Sequence, residues 1–119
     1  MKIGVRYWYK KGVALSEAEL YDRALKCFDK AVEIETGDAE IWFRRGLTLF
    51  HTGDPEEAIK SFDESIKIDP KNAAALNNKG VALARMNRND EAKECFDRAR
   101  TIDPESSAIK LNLKISLNN

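Results

Sequence analysis

Proton transfer, nucleophilic attack and metal binding each need particular side chains close together, and this chain has few of them. His51 is the only histidine, and Cys27 and Cys95 are the only cysteines. No histidine–cysteine cluster has metal-ligand spacing, and no nucleophile has a base and an orienting group to serve it. The acidic pairs Glu17 with Glu19 and Glu56 with Glu57 stand where helix N-termini and solvated faces favour negative charge. They read as surface charge. The basic group Lys2, Arg6, Lys10 and Lys11 lies among aromatic residues, an arrangement that suits RNA. The whole chain, however, carries 20 basic and 20 acidic residues, and phosphate binding calls for a marked basic stripe. No catalytic residue, metal ligand or cofactor is assigned. An enzyme is the weakest reading, and nucleic acid is an unlikely partner.

At 119 residues, with only six glycines and three prolines, the chain has the length of one domain and the composition of a helical one. No apolar run approaches the ~20 residues that span a bilayer, and the N-terminus lacks the apolar core of a secretory signal. The expected location is the cytoplasm. The cysteines agree with this. Cys27 and Cys95 are 68 residues apart with Ser61 midway, so they read as one position in non-neighbouring copies of a unit. A disulfide needs Cα atoms within ~7 Å, so reduced, buried thiols are expected.

The unit itself shows at "WYKKGVAL", "WFRRGLTL" and "LNNKGVAL", where Gly12, Gly46 and Gly80 recur every 34 residues. Glycine inside a helix costs roughly 1 kcal/mol relative to alanine, so its recurrence has a structural cause. Ala24, Ala58 and Ala92 keep the same period, as do Phe28, Phe62 and Phe96, Asp29, Asp63 and Asp97, and Ile34, Ile68 and Ile102. Three copies align as residues 5–38, 39–72 and 73–106 within a single domain, 1–119. Each holds two stretches with apolar residues at helical spacing. Turn signals part them: "TGDPEE" offers Asp54 as a cap and Pro55 in the first turn, and "NRND" at Asn87–Asp90 is expected to act alike. The unit is a helical hairpin. Its glycine lets the two helices approach, with Gly12 expected to meet the surface of Ala24 and Ala31 while Phe28 fills the gap beside them.

The 34-residue period and the order Trp, Gly, Leu, Ala, Phe, Ala, Pro resemble the tetratricopeptide repeat (TPR) family over about nine-tenths of the chain. The resemblance implies an all-α, right-handed superhelix of three helix-turn-helix units. A seventh, capping helix is expected over about 107–117. The apolar alternation from Ile109 to Leu117 suits a strand on pattern alone, but the repeat register places Ile109, Leu113 and Leu117 on the inward stripe of a helix. Lys11, Arg45 and Lys79 depart from the family pattern, which has leucine there. They read as long stems covering apolar surface with their heads in water. Trp8 and Trp42 read as core.

The resemblance also implies a concave groove, lined by the first helix of each unit, that binds a protein or peptide partner rather than a small molecule or a membrane. In register its lining is Arg6, Tyr9, Val13, Glu40, Phe43, Arg44, Leu47, Phe50, His51, Asn77, Asn78, Val81, Arg85, Leu111 and Ile115. Some TPR proteins clamp a C-terminal carboxylate with Lys and Asn. Here the corresponding residues are Tyr9, Val13, Arg44, Ala74 and Asn78, which disfavours a chaperone-tail clamp. The leading function is an interaction module with no chemistry of its own. The alternatives are a self-associating module that dimerises through the C-terminal helix and, less favoured, a helical-repeat RNA-binding protein.

Overall fold

The computed structural model describes residues 2–117. Seven helices follow in order: α1 Ile3–Glu17, α2 Tyr21–Ile34, α3 Ala39–His51, α4 Pro55–Ile68, α5 Ala73–Arg85, α6 Asn89–Ile102 and α7 Ser107–Leu117. The described residues contain no strand. α1 packs on α2, α3 on α4 and α5 on α6, while α3, α5 and α7 each pack back on the helix before them. The result is an elongated stack, 44 × 25 × 21 Å.

Each hairpin closes at its glycine. A methyl group built on Gly12 would stand 2.8 Å from Cε1 of Phe28, and one on Gly46 would stand 2.6 Å from Cε1 of Phe62. Gly80 faces Phe96 in the same way. The phenylalanine ring therefore lies directly on the glycine, rather than in a gap beside an alanine contact. All three rings are buried, so the packing gained offsets the weak helix propensity.

The turn inside each hairpin is also periodic. Glu19, Gly53 and Asn87 hold φ values of 61°, 84° and 60°, the left-handed conformation that ends many helices. The amide of the next residue donates five residues back in every case: Leu20 to Leu15, Asp54 to Leu49 and Arg88 to Leu83. Helix starts are capped less uniformly. The side chains of Asp38, Asp54 and Asn72 accept amide hydrogen bonds at the starts of α3, α4 and α5. At α6 the N-cap is Arg88, with no side-chain cap bond. The "NRND" turn closes through the left-handed Asn87 and not through a polar cap.

The residues from Ser107 are helical, so the strand-like alternation of the tail does not survive packing. Ile109 and Leu113 are buried on α6, whereas Leu111, Ile115 and Leu117 are exposed. Leu117 thus departs from the inward stripe expected of it. Lys114 occupies the glycine position of the fourth copy, so α7 lacks the close-approach glycine on which α2 closes against α1.

Two of the three positions where the family pattern has leucine, Arg45 and Lys79, form ion pairs between units. Arg45 on α3 reaches back to Asp29 on α2 at 2.7 Å, and Lys79 on α5 reaches Asp63 on α4 at 2.6 Å. Arg45 also donates to Ser61 Oγ at 2.6 Å. These cations are mostly buried, with side chains 20% and 23% exposed. They tie one unit to the next instead of extending into water.

Candidate functional site

α1 touches α3 and α3 touches α5, so the first helices of the units lie side by side along one face. Tyr9, Val13, Phe43, Leu47, Phe50 and Val81 are half-buried on these helices. Two of the aromatic rings rest on the buried phenylalanines: Tyr9 lies 6.2 Å from Phe28, and Phe43 lies 6.1 Å from Phe62, centre to centre. The core that closes each hairpin thereby fixes the floor of the inner face.

Polar groups on this face are ordered too. Glu40 Oε1 accepts from the Tyr9 hydroxyl at 3.1 Å and from Arg44 Nε at 2.9 Å. Burial, and next the Glu40 charge, push the Tyr9 phenol upward, so it stays a hydrogen-bond donor. Desolvation is the largest single influence on Arg44 and pulls it down, but the hydrogen bonds and charges of Glu40 and Tyr9 together outweigh it and leave Arg44 raised overall. Arg44 is consequently a charged guanidinium paired with Glu40 and not a free cation. Arg85 differs: its guanidinium lies 4.7 Å from the centre of the Phe50 ring, with no carboxylate partner among the described residues. Arg6 is exposed at the other end.

Asn77 accepts a hydrogen bond from Asn112 Nδ2 at 2.9 Å, linking α5 to α7. Asn78 turns instead to its own helix, donating to the Ala74 carbonyl at 2.9 Å. Val81, Arg85, Phe96, Asn112 and Ile115 line a recess of about 270 Å³ with Ala84, Asn89, Ala92 and Ser116. Leu111 lies exposed on α7. His51 is stacked 5.1 Å from Tyr21, nearly parallel, and lies edge-on to Phe50.

Tyr21, Asn89, Asn112 and Ser116 were not expected at this face. Tyr21 and Asn89 begin the second helices of their units. They stand two periods apart at the same register position, which is the signal that would have found them.

A larger concavity, about 540 Å³, lies elsewhere, between α4, α5 and α6, and includes Ile59, Asp63, Lys79, Arg88, Glu91 and Cys95. Four of its charges pair within it, Lys79 with Asp63 and Arg88 with Glu91. Burial pushes the Cys95 thiol upward, away from the thiolate that nucleophilic chemistry requires. Both cysteines are free and buried. Among the described residues no cluster of three or more His, Cys, Asp or Glu could hold a metal ion, and no helix is long and apolar enough to cross a membrane.

Stacked helical hairpins with an aromatic inner face define a superhelical repeat protein. The chain belongs to the tetratricopeptide repeat family, whose models match residues 9–73 and 49–114. No curated protein sequence matches it significantly. Among solved structures, the Arabidopsis OM64 TPR domain superposes with a TM-score of 0.94 at 20% identity, covering 97% of this chain and 95% of that one. The first TPR of Spaghetti (RPAP3), bound to an HSP90 peptide, gives 0.96 at 16% identity, with 99% and 94% covered. The yeast Sti1 TPR2B domain, in a complex with pHsp70, gives 0.93 at 23%, with 98% of each chain covered. At these identities the likeness is one of fold.

Proposed function

We propose that this protein is an interaction module that holds an extended segment of a partner protein along its inner face. Tyr9, Phe43, Leu47 and Phe50 form an apolar floor, and Val81, Arg85 and Ile115 border the recess that takes one further side chain. The observation that carries this reading is the seating of Tyr9 and Phe43 on the buried rings of Phe28 and Phe62. Aromatic anchors held in place lose little freedom on binding, and they are enriched among interface hot spots.

One structural neighbour is bound to an HSP90 peptide and another is in a complex with pHsp70, which supports peptide binding as the use of this fold. The side chains here favour a different ligand. A floor of rings, with Arg6 and Arg85 at its ends and Arg44 already paired, suits apolar residues flanked by acidic ones. The buried thiols of Cys27 and Cys95 support work in a reducing compartment, with the cytoplasm as the proposed location. The three units, residues 5–38, 39–72 and 73–106, and the cap act as one domain. Self-association is a second reading, supported by the exposure of Leu111 and Ile115 on α7. RNA binding has the balanced charge against it.

Selection of a random peptide library on the immobilised protein tests the proposal. Enriched peptides should carry apolar residues with acidic flanks and should be lost, at least tenfold, on Phe43→Ala with Phe50→Ala. Peptides that bind this double variant as well as the parent would overturn it.

A further inference from the structure

The two ends of the stack are finished differently. At the C-terminal end Leu113 replaces the inter-unit cation, and Asp97 turns to Lys93 and Arg100 on its own helix. The N-terminal end is instead built like an inner junction. Where α2 meets α3, Ile41 is buried, Arg45 lies 5.9 Å over the Trp42 ring and binds Asp29, and the Trp42 indole donates to the Thr36 carbonyl at 2.8 Å. One period upstream α1 presents Tyr7, Trp8 and Lys11 at the same places.

Among the described residues no helix covers these side chains as α2 covers Ile41 and Trp42. Tyr7 is 58% exposed, whereas Ile41 and Ala75 at the same position are fully buried. Lys11 lies 5.6 Å over Trp8, as Arg45 does over Trp42, but no described carboxylate pairs with it. The Trp8 indole also has no acceptor among the described residues, although its ring is half-buried against the cluster of Val5, Ala31 and Ile41. With Leu15 and Cys27, Trp8 and Lys11 border a recess of about 320 Å³ whose other lining residues are Arg23, Lys26 and Lys30. Four cations and no carboxylate line it, and of the four only Lys30 pairs with a described carboxylate, Glu33 at 4.0 Å.

We propose that this end face docks an acidic amphipathic helix of a partner protein. The helix places a carboxylate on Lys11, as Asp29 is placed on Arg45 and Asp63 on Lys79, and an apolar stripe on Tyr7, Trp8 and Leu15. The two inner junctions show the geometry, and the surplus of positive charge sets the sign of the partner. A second copy of the chain is a poor donor. Asp29 and Asp63 are held by Arg45 and Lys79, and Asp97 by its own helix under α7.

The probe is a peptide of residues 54–70, the α4 segment, which carries Asp63 and has six carboxylates against two lysines. A lactam between Lys60 and Glu64 on its exposed side keeps it helical. Titrated into the full chain and followed by fluorescence anisotropy, it should bind at one site. Lys11→Glu should weaken binding at least about tenfold, and Asp63→Lys in the peptide should restore it. The Phe43→Ala, Phe50→Ala variant should bind as the parent does, which separates this face from the groove. No binding, or binding indifferent to the sign of residue 11, would overturn the proposal. Lys11-dependent dimerisation of the chain alone, seen by sedimentation, would also overturn it by assigning the face to a second copy.

Discussion

At Gly46 a side chain has nowhere to go, because the buried Phe62 ring lies 2.6 Å from where a Cβ would stand. Gly46→Leu should lower stability by roughly 1–3 kcal/mol or more through overpacking, although leucine is the better helix former. Urea denaturation decides this, and a variant as stable as the parent would refute the packing role. Glu19 poses the opposite case. It holds the left-handed turn conformation that Gly53 and Asn87 hold in the next two units, and a side chain there is strained. Glu19→Gly should gain about 1 kcal/mol, seen as a higher urea midpoint at unchanged slope. The glycine–phenylalanine period was legible in the sequence because one packing contact recurs three times. The role of Glu19 was not, since its register partners are of different residue types and share only a backbone angle.

Between elements, the pairs Arg45 with Asp29 and Lys79 with Asp63 join consecutive hairpins. The aspartate period was visible in the sequence, as was the basic period, but nothing in either spacing says that they meet across a junction. Only the stacking of α3 on α2 brings them together. Asp29 is about half exposed, so a double-mutant cycle on Asp29→Ala and Arg45→Ala should give a modest coupling, about 0.5–1 kcal/mol, that shrinks at high salt. Zero coupling at low salt would remove the pair from the junction. The cap is a stronger contributor. Leu113→Ala on α7 deletes a buried contact with α6 and should cost about 2 kcal/mol or more, read by thermal or urea unfolding. Leu117→Ala, on the exposed side, should change little. The alternation of apolar residues in this tail misled on pattern alone because only Ile109 and Leu113 find a surface to pack against.

Over the whole molecule, three hairpins set their first helices side by side and turn a periodic sequence into a continuous inner face. The register of those helices was readable, which is why Tyr9, Phe43, Leu47 and Phe50 fall together. The pairing of Arg44 with Glu40, the seat of Arg85 on Phe50 and the Tyr21–His51 stack depend on side-chain conformations that periodicity does not encode. The central claim is that this inner face is the binding surface. Amide shift mapping of the isotope-labelled protein with a library-selected peptide tests it most directly. The claim predicts the largest shifts at Tyr9, Phe43, Leu47, Phe50, Val81 and Arg85, with Lys79, Cys95 and Arg98 on the opposite concavity unmoved. Shifts concentrated around Lys79, Cys95 and Arg98, with the aromatic floor silent, would contradict it.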